Sequence, residues 1–335
     1  MLIAKKPPAL KLPLLFSIAF KLPFAIDIYE GSEKKRYKVW MNDASDTFSF
    51  AVNAKPDLIN VDADKVLVCE KKDHKTAENF IYQYNHAGSY VDRRETIAFF
   101  LNNKNEAGRI AFLQTALKDK NERLRGYTLQ RLNLDNDTVK QAMESSILNI
   151  AKNDPSTLVR ADAIEDMKTY KKMEYKPLYI KAVADSSYSV AGKALEALSE
   201  IDSVTALTMA KSLSAQTAKG TLQTAILNTF SKYGDESNYS YIYDQFMHAG
   251  INTRFNMLQP LAEALAKEKN TELVKQQVDI IVNFREDLPS FIRQFADAAV
   301  NGSLGTIATA KKDAGNTELA NYIQSKLPAE TQAPK

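Results

Sequence analysis

The chain has 335 residues, of which 44% are hydrophobic and 25% are charged, and its formal net charge is +3. This composition is that of an ordinary globular protein, long enough for two domains or for one domain followed by repeats. A charge so close to neutral excludes electrostatics as the driving force for nucleic-acid binding. Two short basic clusters, Lys34–Arg36 and Lys71–Lys72, lie between apolar runs and are interpreted as solvated turns.

The first part of the chain has the period-two pattern of β-strands. Every second residue from Leu12 to Ile28 is apolar, which favours a half-buried strand or strand pair. Lys11, Pro13 and Lys21 interrupt the run, which argues against a signal peptide, and no stretch reaches transmembrane length. Shorter strands are predicted at Tyr37–Met41, Phe48–Val52, Leu58–Val61 and Val66–Val68. Residues 1–72 are therefore predicted to form a small β-sandwich.

From about His74 the hydrophobic period becomes helical and remains so as far as Leu327. Residues 73–327 are predicted to form a HEAT-like helical-repeat domain. The last segment, 328–335, is rich in Pro and polar residues and is predicted to be a disordered tail. The predicted fold class is mostly α: a HEAT-like α–α superhelix, a solenoid of helical hairpins, preceded by the small β-sandwich.

An internal repeat supports the helical assignment. A fixed offset of six residues separates the members of three pairs: Asp119 and Arg125, Asp154 and Arg160, and Asp185 and Ala191. The repeat length is 35 residues from position 125 to 160 and 31 from 160 to 191. A fourth, degenerate unit at Ala218–Gly220 lacks the matching Asp. This is the pattern of helical hairpins in which an acidic turn precedes the second helix.

The residue types of the repeat predict structural roles. Asp in the turn is expected to cap the second helix, and Arg is expected to reach the Asp of its own or a neighbouring repeat. The small residues Gly126, Ala161 and Gly192 are expected to let helices approach closely. Repetition at a fixed phase favours this interpretation over a catalytic one. The predicted structural repeat positions are Asp119, Arg125, Asp154, Arg160 and Asp185.

The sequence offers no pattern that predicts a catalytic or metal site. The three histidines, His74, His86 and His248, lack zinc-ligand spacing, and no Gly-rich phosphate loop or G-x-S-x-G elbow occurs. The single cysteine, Cys69, is interpreted as a small apolar strand residue. Arg93–Glu95 follow an aromatic residue and are interpreted as a helix-start salt-bridge cluster, with an arginine grip on a carboxylate as the alternative. An unrecognised hydrolase is a minor alternative.

Four segments resemble one protein family. Lys21–Ile28, Tyr37–Met41, Phe48–Phe50 and Leu58–Asp62 are similar to the small β-sandwich of the aminopeptidase N family of zinc metallopeptidases. In that family the sandwich follows the catalytic domain and precedes a helical domain. The continuation from Tyr82–Glu95 into repeats resembles bacterial members whose C-terminal domain is HEAT-like.

The chain departs from this family in lacking its G-x-M-E-N and H-E-x-x-H motifs. The resemblance therefore implies a non-catalytic C-terminal region, with zinc held only by a preceding catalytic domain of the same polypeptide. It also implies that the helical array covers the active-site cavity, restricts peptide access and contacts the distal ends of peptides. Bacterial relatives are often exported, which by resemblance implies a periplasmic location.

A second hypothesis is a stand-alone HEAT-repeat scaffold. Such a protein would bind a protein or peptide partner on its concave face, through residues of the second helices. Neither hypothesis assigns a cofactor to this chain, and neither predicts a nucleic-acid or membrane partner.

Overall fold

The structure is a computed structural model that describes residues 21–43 and 45–327. The chain divides into two compact units, Met1–Ser146 and Ile147–Lys335. The part of the predicted strand run at residues 12–20 and the predicted disordered tail at 328–335 lie outside the described residues. The described residues contain a three-stranded sheet followed by fifteen α-helices. No helix in the described part of the chain is long and apolar enough to span a membrane.

The sheet is antiparallel and has the order β2-β1-β3, with β1 at Leu22–Glu30, β2 at Glu33–Met41 and β3 at Leu58–Val61. The predicted half-buried pattern holds only in part, because Ala25–Tyr29 of the central strand are buried on both faces. One face carries Ile26 and Ile28, and the other carries Asp27 and Tyr29.

Two of the predicted strands do not form among the described residues. The segment at Phe48–Val52 is irregular, yet its aromatic rings cover the Ile26 face of the sheet. The Phe48 ring centroid lies 5.9 Å from that of Phe24, and the Phe50 centroid lies 4.2 Å from that of Tyr37. This segment thus supplies the apolar cover that the predicted strand was expected to provide.

The predicted strand at Val66–Val68 is replaced by a loop that Asp62 holds. The two oxygens of the Asp62 side chain accept the backbone N–H groups of Val66 and Leu67 at 3.0 and 3.1 Å. These donors are the ones that a strand would use for pairing. Val66 and Val68 are consequently exposed.

The first helix, α1, begins at Ala77, four residues after the predicted start of the helical domain at residue 73. Thr76 caps α1 with a capping box, in which its side chain accepts from Asn79 N and its own N–H donates to the Asn79 side chain. The helices of the first unit are α1 Ala77–His86, α2 Tyr90–Asn102, α3 Arg109–Ala116 and α4 Glu122–Leu129, and α5 Asp137–Asn153 crosses the unit boundary.

The second unit consists of paired helices and a 3-10 turn at Met173–Tyr175. Its helices are α6 Thr157–Lys168, α7 Lys176–Val183, α8 Tyr188–Ile201, α9 Ser203–Ser214, α10 Gly220–Tyr233, α11 Glu236–His248, α12 Ile251–Lys267, α13 Thr271–Glu286, α14 Ser290–Asp313 and α15 Thr317–Ser325. The second helices of successive hairpins, α6, α8, α10, α12 and α14, each pack against the next. The chain is therefore mostly helical and HEAT-like, as predicted, and a small antiparallel sheet precedes the helical hairpins.

Gly192 on α8 lies directly against the backbone of α10, the next second helix. A Cβ atom at Gly192 would lie 2.5 Å from the backbone carbon of Thr221 and 2.7 Å from the backbone nitrogen of Leu222. Both atoms belong to backbone, which cannot move aside as a flexible side chain can. A residue with a side chain at this position would force α8 and α10 apart.

We expect Gly192→Ala to destabilise the protein by about 1–3 kcal/mol, because the added methyl group overpacks this helix contact. Gly302→Ala is the matched control, since Gly302 lies inside α14 and a Cβ there meets nothing within 4 Å. The control should be neutral or should stabilise by about 0.5–1 kcal/mol, as alanine favours helix. Urea denaturation followed by circular dichroism measures both changes, and equal stability of the two variants would contradict this account of the contact.

Candidate functional site

The acidic residues of the repeat hold the turns that precede the second helices. Each aspartate side chain accepts the backbone N–H two residues later: Asp119 from Asn121 at 2.7 Å, Asp154 from Ser156 at 2.9 Å and Asp185 from Ser187 at 2.8 Å. These donors are the N-cap residues of α4, α6 and α8. The aspartates thus fix the turn just ahead of each helix by bonding the N–H of its N-cap residue.

The arginines of the repeat connect each turn to its surroundings. Arg160 donates from Nη1 to the backbone oxygen of Asp154 at 2.9 Å and from Nη2 to Asp185 Oδ2 at 2.8 Å. Arg125 makes the first of these contacts with the backbone oxygen of Asp119, at 2.8 Å. The arginine therefore bonds the turn of its own hairpin through the main chain, and Arg160 bonds the next turn through the carboxylate.

The charged run Arg93–Glu95 separates into three environments. Arg93 is buried and donates from Nη1 to Asp119 Oδ1 at 2.7 Å. Glu95 accepts from Lys71 Nζ at 2.9 Å. The third residue, Arg94, is exposed, and none of the described carboxylates forms an ion pair with it. The salt-bridge interpretation thus describes Arg93 and Glu95, whereas Arg94 keeps its guanidinium donors available.

Arg93 belongs to the repeat although no Asp stands six residues before it, where the sequence has Ala87. Its contact with Asp119 corresponds to the contact of Arg160 with Asp185. Tyr84 adds a hydrogen bond of 2.6 Å from its hydroxyl to Asp119 Oδ2. Burial, and then this hydrogen bond, raises the pKa of the Tyr84 hydroxyl. The carboxylate of Asp119 therefore bonds Arg93, Tyr84 and the backbone of its own turn.

A second buried network fastens the loop after β3 to the α1–α2 hairpin. Asp92 in the first turn of α2 is buried, and its Oδ1 accepts from Lys65 Nζ at 2.8 Å and from the Asn60 side chain at 3.1 Å. Asn60 lies on β3, so this carboxylate connects the sheet directly to α2. Tyr82 of α1 also donates its hydroxyl hydrogen to the Gly31 backbone oxygen between β1 and β2.

Some residues of the two basic clusters in the sequence form ion pairs with aspartates. Arg36 forms a two-point contact with buried Asp27, at 2.7 Å from Nε and 2.8 Å from Nη2. Lys71 lies within 3.1 Å of Asp73 Oδ2, whereas Lys72 is exposed. The interpretation of these clusters as solvated turns applies to Lys72. Lys34, Lys35 and Arg36 are exposed but lie on β2 and not in a turn, and Lys71 is only half-exposed.

The exposed side of α2 and α4, the second helices of the first two hairpins, carries a group of arginines and tyrosines that we term the Arg–Tyr surface. It consists of Tyr90 and Arg94 of α2, Arg123 and Tyr127 of α4, and Arg131 just after α4. The guanidinium carbon of Arg94 lies 5.0 Å from the centroid of the Tyr127 ring, and that of Arg131 lies 4.1 Å from it. Both distances are those of cation–π contacts. The three arginines are exposed, and within residues 21–43 and 45–327 none of them forms an ion pair.

A shallow pocket of about 510 Å³ lies at one end of this surface, lined by Tyr90, Lys120, Asn121, Glu122 and Arg123. It brings the start of α2 next to the start of α4. The pocket and the two arginines at Tyr127 together make a continuous basic and aromatic strip on two adjacent second helices. Sequence reasoning did not identify this strip, because Arg94 and Arg131 are distant in sequence and meet only through helix packing.

The histidines and the cysteine do not converge on a site. His86 stacks on Tyr82 with centroids 3.9 Å apart, and His248 lies at the exposed end of α11, 3.3 Å from Asp244. Cys69 is exposed in irregular chain, so its interpretation as a strand residue is wrong. Across the described ranges, no group of three or more His, Cys, Asp or Glu residues is placed to hold a metal ion.

One carboxyl of the second unit has an unusual environment. Burial raises the pKa of Asp166 on α6 to about 8, and the negative charges of Asp162 and Glu165 add to this shift. Glu165 itself is paired with Lys193 at 3.1 Å. Asp166 Oδ2 is buried and has no hydrogen-bond partner among the described residues. This carboxyl is therefore protonated at pH values at which an unfolded Asp is charged.

Comparisons with known proteins leave the family open. No protein-family model matches the chain, and no curated protein matches it. The CpcE–CpcF complex of phycocyanin lyase from Nostoc has a chain with 15% identity and TM-score 0.43, covering 73% of this chain and 98% of its own. Human deoxyhypusine hydroxylase in complex with glycerol shows 11% identity and TM-score 0.33, with coverage of 75% and 94%.

An aminopeptidase is also among the similar structures. Legionella pneumophila aminopeptidase A in complex with aspartic acid has 11% identity and TM-score 0.46, and the similarity covers 92% of this chain. This chain spans 46% of the length of that protein. All of these likenesses are too distant to transfer a family or an activity.

We expect Arg93→Met to lower the free energy of unfolding by about 3–5 kcal/mol, because it leaves the buried carboxylate of Asp119 without its cation. Lys269→Met is the control, since Lys269 and its partner Glu236 are 89% and 54% exposed. Loss of that pair should cost less than about 1 kcal/mol. Guanidinium denaturation measures both variants. Similar losses for the two would show that the Arg93 pair has no special role.

The environment of Asp166 predicts a pH dependence of stability. Its folded pKa is raised, so the folded state binds the extra proton and stability from this group falls as pH rises from about 4 to about 8. Asp166→Asn removes this dependence. The variant should be only slightly more stable than the unchanged protein at pH 4. At pH 8 its free energy of unfolding should be higher by about 1 kcal/mol or more. Thermal unfolding of both proteins at several pH values measures the difference, and a gain that did not grow with pH would contradict the assignment.

Proposed function

We propose that this chain is a non-catalytic HEAT-like scaffold that serves as the C-terminal region of an aminopeptidase N-like protein. In this role its helical hairpins cover the cavity of a preceding catalytic domain and restrict the access of peptides. The proposal rests on the order of elements, a small sheet followed by HEAT-like hairpins, and on the strand segments that resemble that family.

The observation that carries the proposal is the buried junction between sheet and helices. Asp92, Lys65 and Asn60 join β3 and its following loop to α2 through hydrogen bonds of 2.8–3.1 Å. Breaking such a network leaves a buried charge unpaired, so the sheet and the first hairpin are expected to move as one body. A sheet held in this way is suited to transmit the position of an upstream domain to the helical hairpins.

A stand-alone peptide-binding scaffold is the second candidate, and the Arg–Tyr surface favours it. Exposed arginines and tyrosines are enriched where proteins bind partners. These residues lie on second helices, where a repeat scaffold is expected to contact its ligand. In this case the partner is a protein or peptide and no catalytic domain is required.

The purified chain should not cleave aminopeptidase substrates, even with zinc added, because the proposal places all zinc chemistry in another domain. Release of p-nitroaniline from amino-acid anilides measures this activity. Cleavage that a chelator abolishes and that co-purifies with the chain through several columns would overturn both candidates.

The coding DNA upstream of Met1 distinguishes the two candidates. An open frame that encodes H-E-x-x-H and continues into this chain supports the C-terminal region of a peptidase. A promoter and ribosome-binding site directly before Met1 support the stand-alone scaffold.

A further inference from the structure

We infer that the Arg–Tyr surface is a binding site for carboxylate groups of a peptide or protein segment. This inference deepens the proposed scaffold function by naming the chemistry of its ligand, and it rests on that function. The ligand group is a carboxylate, which an acidic side chain or a chain terminus supplies.

The first step is the state of the arginines. Most described arginines already bond a carboxylate or a backbone oxygen, as Arg36, Arg93 and Arg160 do. Arg94, Arg123 and Arg131 instead lie exposed on one surface and have no carboxylate partner among the described residues. Each guanidinium keeps its fork of donors available for an incoming anion.

The second step is the position of these groups. Arg94 and Arg131 are both held against the ring of Tyr127, at 5.0 and 4.1 Å. Two like charges near one ring repel each other, and an anion between or beside them offsets that repulsion. The ring limits the freedom of both side chains without using their donors, so less entropy is lost when a carboxylate binds. Tyr90 and the adjacent pocket add apolar contact area for the rest of a peptide.

The third step selects a peptide over nucleic acid. The chain carries a net charge of only +3, and the surface contains one carboxylate of its own, Glu122, in the pocket. A phosphate backbone needs a longer run of cations to be bound at physiological salt. One or two carboxylates of a peptide are enough to balance most of the positive charge of this surface.

The test uses isothermal titration calorimetry of the full chain with four peptides. These are an alternating Glu–Ala peptide and its Gln–Ala counterpart, each with a free or an amidated C-terminus. The Glu–Ala peptide should bind more tightly than the Gln–Ala peptide if side-chain carboxylates are the ligand. A preference for the free over the amidated terminus identifies the terminal carboxylate as the source, and either preference supports the inference.

The site is tested with Arg94→Ala and Arg131→Ala. Each change should weaken binding of the preferred peptide about tenfold, because each removes a charge-assisted hydrogen bond. The double variant Lys38→Ala, Lys72→Ala is the matched control. It removes two positive charges, as the double variant Arg94→Ala, Arg131→Ala does, from exposed lysines of the same unit that form no described ion pair. Loss of the long-range electrostatic field alone should change binding by less than about twofold. Glu122→Gln should tighten binding, since it removes the one anion in the pocket.

The outcomes separate the site from the proposed function. Carboxylate-dependent binding that survives Arg94→Ala, Arg131→Ala overturns the site and leaves the scaffold function standing. Equal loss in the lysine control also overturns the site, since general charge would explain it. The absence of binding to any of the four peptides, or tight binding of a single-stranded oligonucleotide in their place, overturns the inference and the peptide-binding function with it. Circular dichroism confirms that each variant is folded.

Discussion

The helical hairpins depend on neutralising the aspartates in their turns, of which Asp119 and Asp154 are buried and Asp185 is half-buried. Asp119 is 6% exposed, yet the turn needs its carboxylate to accept the N–H of Asn121. Burying a carboxylate without a partner is costly. Arg93 of the preceding hairpin supplies this partner at 2.7 Å. The turns at Asp119 and Asp185 are thus each completed by an arginine of the preceding hairpin, so these hairpins must stack for the turn carboxylates to be paired.

The same constraint operates where the sheet meets the helices. Asp92 lies in the first turn of α2, where its own N–H donates to Ser89 Oγ and the helix dipole favours a negative charge. Its carboxylate is buried and is neutralised by Lys65, which lies in the loop following β3. The ion pair with the Asp92 carboxylate on α2 therefore holds this loop in place, and with it the end of the sheet. Apolar contacts alone would not select this one position, because they tolerate sliding.

Much of this organisation was predictable from sequence, and particular residues explain the rest. The fixed six-residue offset from Asp to Arg revealed the hairpins, because a turn that needs both residues repeats them in register. Arg93 escaped the pattern since Ala87 stands where an Asp was sought, and its partner lies 26 residues later. The prediction of a strand at Val66–Val68 was wrong because hydrophobic alternation does not reveal that Asp62 accepts hydrogen bonds from the N–H groups of two of these residues. The prediction of a strand at Phe48–Val52 was wrong because the backbone there is irregular, although the aromatic residues of this segment do cover the sheet.

The sequence offered an arginine grip on a carboxylate at Arg93–Glu95 only as an alternative, because it does not show that the two adjacent arginines have opposite environments. Arg93 and Arg94 are neighbours on α2, so a helical turn of about 100° per residue points them in different directions. Arg93 meets the buried Asp119, whereas Arg94 meets the ring of Tyr127. A guanidinium that is paired with a carboxylate has its charge neutralised and its donors used within the fold. One held by an aromatic ring is fixed in place with its donors free, and this difference separates the arginine that supports the hairpin stack from the one that is suited to bind a ligand.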